Sequence, residues 1–203
     1  MNVARALGLS LLALAIVYVP AFALVGFLRP AMNDAVPMII VVTAALACIL
    51  AAGYALWRRI GPGAFGLWLA ARRYFVYALA VSIPLSALAQ FATMHAHETG
   101  PLAGLTLPFV MAGFYFLICA PIQEEFIFRG LVQTVFATEI GAQWPAVGAA
   151  ALLFALVHLV IGPVTAAAAL VLGLVAGELR RRSGSLLPAI LCHAIFNLPG
   201  LLF

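Results

Sequence analysis

Charge is what this sequence has least of. Of its 203 residues only 8% are charged and 67% are hydrophobic, where a water-soluble domain carries roughly 25% charged residues. That scarcity excludes a soluble globule of this size. Lysine is absent, and all ten basic residues are arginine; with abundant alanine this fits a GC-rich bacterial genome. No Lys/Arg-rich stripe with interleaved aromatics is available to follow a phosphate backbone, so the net charge of +4 requires no nucleic-acid partner. The three cysteines, Cys48, Cys119 and Cys192, lie in apolar runs without CxxC spacing. They read as small hydrophobes, not as disulfides or metal ligands. Nor is there a polar block long enough to fold separately, which leaves one membrane domain over residues 1–203.

What the chain has in quantity is apolar runs. A helix needs about 20 apolar residues to cross the hydrocarbon core, and runs fall at 7–28, 36–57, 74–93, 107–137, 145–160, 163–179 and 185–203. The expected fold is therefore all-α, a polytopic bundle of about seven transmembrane helices in a cell membrane, with the lipid bilayer as its partner. The first run also admits a signal-peptide reading, since Arg5 precedes it and Ala21-Phe22-Ala23 has a small-x-small form, but it continues to Leu28, longer than a signal requires. Ile161-Gly162-Pro163 reads as a tight turn. Short cytoplasmic loops collect arginine. A cytoplasmic N-terminus puts Arg5, Arg58, Arg59, Arg72, Arg73, Arg129 and Arg180 to Arg182 on the inner side and leaves only Arg29 outside. The expected location is the bacterial plasma membrane.

A few polar residues resist explanation by the membrane alone. Glu124 and Glu125 interrupt an apolar stretch, and ionisable groups there mark functional sites unless paired or watered. Glu125 and Arg129 are one helical turn apart and can pair; Glu124, about 100° around the helix, must face something else. His193 and Asn197 likewise share one helix face. Depth connects these groups. The polar break at Glu139 to Gln143 is the expected turn between the fourth and fifth runs, and Gly141 stands 17 residues from both Glu124 and His158. An antiparallel hairpin closed there brings the two level, roughly 25 Å along each helix. His193 comes ten residues after Ser183, which puts it within two turns of the same height.

A carboxylate and an imidazole around one trapped water are the parts of general-base hydrolysis. Burial makes a carboxylate a stronger base, whereas Arg129 holds its own partner ionised. His193 and the Asn197 amide could donate to the oxyanion of a tetrahedral intermediate. Glu124, His158 and His193 with an open position for water would equally suit zinc, although no HExxH is present.

The three motifs, Glu124-Glu125 with Arg129, Phe154 with His158, and His193 with Asn197, stand in the order of the EExxxR, FxxxH and HxxxN motifs of the CPBP family. The sequence thus resembles the membrane-embedded CAAX prenyl endopeptidases and bacteriocin-processing or self-immunity (Abi) proteins. The resemblance covers residues 107–203, and residues 1–106 carry none of it. It implies that Glu124 activates water with His158, that His193 and Asn197 stabilise the oxyanion, and that Glu125, Arg129 and Phe154 support the site. It also implies a peptide or membrane-associated protein substrate, an all-helical fold of about eight helices and a site open to the cytosol.

Other readings stand beside these. Glu124, Glu125 and Arg129 could be a buried ion pair that fixes helix register, and Asn197 could be interhelical glue. A different class, a non-catalytic immunity factor or a proton-coupled transporter, also places carboxylates and histidines in the membrane, though no inverted repeat of broken helices is seen. His95, His97 and Glu98 read as a solvated outer loop, Arg180 to Arg182 as a topology anchor touching anionic headgroups, and Glu139 and Glu178 as interfacial.

Overall fold

A computed structural model describes residues 2–28, 66–94 and 113–199, with single positions at 46, 47, 54, 58 and 110. The run at 36–57 falls almost entirely outside the described residues, as do Arg29, Cys48, His95, His97 and Glu98.

The described chain is helical and contains no strand. It forms α1 (Val3–Leu28), α2 (Arg72–Met94), α3 (residues 115–140), α4 (Gln143–His158), α5 (Pro163–Ser183) and α6 (Leu187–Asn197). Among the described residues there are thus six helices, and the second of the seven expected runs, 36–57, lies almost wholly outside them. Three of them are long and apolar enough to cross a bilayer, through Val3–Pro20, Arg72–Phe91 and Pro163–Ser183; Gln143–His158 and Leu187–Asn197 are shorter apolar helices.

α3 is not a plain span. It runs through a π-helical segment (Tyr115–Cys119), an α segment (Ala120–Glu125), a second π segment (Phe126–Val132) and a last α segment (Gln133–Ile140). Pro121 has no N–H to offer the turn before it, and the chain relaxes locally to a wider register in which the Ala120 N–H reaches the Tyr115 carbonyl. Wide turns of this kind recur at functional sites, and here they bracket the two glutamates.

The turns fall where the sequence placed them. Gly141 ends α3 with a φ of 70°, which a side chain would strain, and donates its N–H to the Ala137 carbonyl at 3.0 Å. Gly184 ends α5 in the same conformation. Helices α4 and α5 then pack face to face through small side chains. A Cβ added at Gly173 would stand 2.9 Å from the Ala151 Cβ, and one at Gly177 would stand 2.9 Å from a Val147 methyl. Gly173 and Gly177 are one turn apart, a small-xxx-small seam that lets backbones approach where lipid gives no hydrophobic drive.

The segment before α2 ties the N-terminal part to this core. The Leu186 N–H donates to the Gly66 carbonyl at 2.9 Å, and the Ser185 hydroxyl to the Trp68 carbonyl at 2.5 Å. At the same end Arg5 pairs with Glu139 at 3.4 Å, and the Asn2 N–H donates to the Glu139 carbonyl at 3.1 Å. Arg5, Arg72, Arg73 and Arg180 to Arg182 therefore gather at one end of the bundle, as their assignment to one membrane face requires. Arg129 is the exception. Expected among the inner-face arginines, it is 0% exposed in the core, because twelve residues of helix, roughly 18 Å, separate it from the Gly141 turn.

Candidate active site

The site is assembled from the middle of α3, the last turn of α4 and the middle of α6. Glu125 and Arg129, one turn apart, form an ion pair in which Nη1 donates to Oε1 at 2.9 Å, and both side chains are fully buried. The same Glu125 Oε1 accepts a hydrogen bond from His193 Nδ1 at 2.8 Å. That carboxylate is thus the junction between α3 and α6. On α4, His158 Nδ1 donates to the Phe154 carbonyl at 2.8 Å, the one direction possible because a carbonyl only accepts.

Both imidazoles are therefore held by Nδ1 and turn Nε2 toward the remaining carboxylate. Glu124 Oε2 lies 3.7 Å from His193 Nε2 and 4.0 Å from His158 Nε2. The sequence expectation that Glu124 and His158 stand level is met, and His193 joins them. These separations are too long for direct hydrogen bonds and match the interval at which a bridging water is sought. Tetrahedral zinc ligands, each about 2.0–2.2 Å from the ion, would stand roughly 3.4 Å apart. The observed spacing is wider, and among the described residues no group of three His, Cys, Asp or Glu is arranged to hold a metal ion.

Phe154 is the hub around which these groups are set. Its ring lies 4.4 Å from the His158 ring, 5.8 Å from the His193 ring and 4.6 Å from the Arg129 guanidinium carbon, measured to the ring centroids. A cation over an aromatic face is stabilised by the ring quadrupole. The phenylalanine of FxxxH thus packs the ion pair and both histidines into fixed positions while its own carbonyl fixes His158.

Asn197 is shared between two tasks. Its Nδ2 donates to the Phe116 carbonyl on α3 at 2.9 Å, the interhelical bond of the alternative reading. It also lines a cavity of about 270 Å³ together with Glu124, Phe154, His158 and His193. Tyr115, which nothing in its sequence context singles out, lines the cavity as well. A second cavity of about 250 Å³ adjoins it across Phe116 and Asn197 and is walled by Ser86 and Gln90 of α2. α2 thus contributes to the site's surroundings although it carries no motif. Gln90, an amide inside an apolar run, was the available signal.

The cluster sits toward the end of the bundle opposite the arginines, since the cavity includes Ile161 and Thr165, and Thr165 is fifteen residues, roughly 22 Å, from Arg180 along α5.

Comparison with curated proteins and with solved structures finds no match. Among protein families, the one described as Type II CAAX prenyl endopeptidase Rce1-like matches residues 106–199, a range that holds every element of the carboxylate and imidazole cluster. Through those residues, a little under half of its length, the chain is similar to the Rce1-like family of type II CAAX prenyl endopeptidases.

Proposed function

We propose that this protein is an intramembrane endopeptidase in which Glu124 and His158 activate a water molecule against a peptide carbonyl. The observation that carries the reading is the convergence of two Nε2 atoms on one Glu124 carboxylate oxygen. Glu124 removes a proton from water held between it and His158, the resulting hydroxide attacks the carbonyl carbon, and Glu124 returns the proton to the leaving amine. His193, whose Nδ1 is held by Glu125, donates from Nε2 to the oxyanion as an imidazolium, and the Asn197 amide adds a second donor. Glu125 and Arg129 position His193, and Phe154 sets both rings. The family points to a prenylated C-terminal CAAX sequence as substrate.

The test is to incubate the purified chain in detergent with a farnesylated peptide ending in Cys-aliphatic-aliphatic-X. Mass spectrometry should find the C-terminal tripeptide released, at a rate unchanged by chelator. Cleavage lost to chelator and restored by zinc would replace this water mechanism with a metal-assisted one at the same residues. An intact peptide in the presence of folded protein would remove the CAAX reading.

Orientation has its own test. Arginine distribution puts the N-terminus and the Arg180 to Arg182 end in the cytoplasm, which sets the Glu124 cluster in the outer half of the bilayer, whereas the family resemblance implies a site open to the cytosol. We favour the arginines. A single cysteine at Ser183 in a cysteine-free chain should resist a membrane-impermeant thiol reagent applied to intact cells, and one at Ile161 should react. The opposite pattern would reverse the topology and open the site to the cytosol.

A further inference from the structure

A third cavity, of about 550 Å³, lies at the arginine-rich end between α3 and α5, away from the Glu124 cluster. Its walls include Arg129, Gln133, Thr138, Gln143, Arg180 and Arg181, and among the described residues no carboxylate lines it. We propose that this cavity is a binding site for a phosphate-class anion.

The first support is its floor. Arg129 is 0% exposed, and while Nη1 holds Glu125, neither Nε nor Nη2 has a hydrogen-bond partner among the described residues. Buried guanidinium nitrogens without acceptors are costly and call for one. Beside it Gln133, 4% exposed, spends its amide nitrogen on the Gly177 carbonyl at 3.1 Å and leaves Oε1 without a donor. A hydrated or protonated phosphate serves both needs, since it accepts from the guanidinium and donates to the amide oxygen.

The second support is charge. Arg181 is bonded to Glu178, which Arg182 shares, and Arg129 to Glu125. Arg129, Arg180 and Arg181 thus bring three guanidinium groups to the cavity walls. Arg181 is further fixed over the Trp144 ring, 4.9 Å from its centroid. Planar guanidinium forks suit tetrahedral oxyanions better than they suit halide, and the volume lies within the range of small-ligand sites. At a membrane face the same chemistry is offered by a phospholipid headgroup and by soluble phosphate.

The experiment uses the full chain, delipidated in neutral detergent. Inorganic phosphate is titrated in one arm and phosphatidylglycerol in the other, against chloride at equal ionic strength, and the thermal midpoint is followed. A saturable rise with phosphate alone assigns a soluble anion, and a rise with phosphatidylglycerol alone assigns a lipid headgroup; either supports the site. Arg181→Gln and Thr138→Ala should each weaken the apparent affinity by about tenfold, the loss of one charge-assisted hydrogen bond, while Arg73→Gln, outside the cavity, should not. Arg180→Gln is less suitable because Arg180 caps the Gly184 carbonyl at 2.5 Å. Absence of saturable binding in both arms, an equal response to chloride, or unweakened binding in both cavity variants would overturn the proposal.

Discussion

Glu124→Gln should lower kcat by about 10²–10⁴-fold, the usual contribution of a general base, while leaving the thermal midpoint unchanged. The substitution keeps the shape of the side chain and removes only its ability to take a proton. His158→Ala should cause a loss of similar order, since Glu124 Oε2 then keeps only the His193 Nε2 at 3.7 Å as a ring neighbour. Both defects belong in kcat more than in KM, because neither group is needed to hold the ground state. If either variant retained activity within about tenfold of the parent, the water would have to be activated by other residues.

The second large effect concerns stability. Glu125→Gln alone should destabilise the fold by about 3–5 kcal/mol, the cost of stranding one member of a buried ion pair. Arg129 would remain fully buried over Phe154 with no carboxylate, and His193 Nδ1 would lose its ionised acceptor. Arg129→Met should be costly for the converse reason. The pair replaced together, Glu125→Gln with Arg129→Met, should recover most of the stability, because no uncompensated charge is left behind. It should not recover catalysis if Glu125 positions His193. Unfolding followed by heat in detergent, with cleavage measured on the same samples, separates the two outcomes. Single variants within about 1 kcal/mol of the parent would mean that water reaches the pair and screens it.

Much of the site was legible because helical spacing is a strong constraint. Glu125 and Arg129 pair as their four-residue separation requires, and Gly141 closes a hairpin that brings Glu124 level with His158. Equal distances from one turn are enough to align two helices, whatever else the fold does. The part that was not legible concerns which atoms face which. His193 was assigned to the oxyanion, and the spacing gave no hint that its Nδ1 is held by Glu125, 68 residues away. Arg129, grouped by its charge with the arginines of the membrane face, lies in the core, a depth that its twelve-residue distance from Gly141 already implies. Nothing in the sequence singles out the Gly173 and Gly177 seam, because a glycine's role shows only once its neighbour across the interface is known.

Composition and periodicity by themselves determined that this chain is an all-helical membrane protein, which residues are too polar to be there without a task, and how far along each helix those residues stand. These are properties of one segment at a time, fixed by the rise per residue and by the energy of placing charge in hydrocarbon. Only the tertiary structure decided that one carboxylate joins Arg129 to His193 while its neighbour faces two imidazole nitrogens, and that α2 walls the adjoining cavity. Helix rotation and the pairing of faces arise from packing between segments distant in sequence, and a single helix carries no record of its partner.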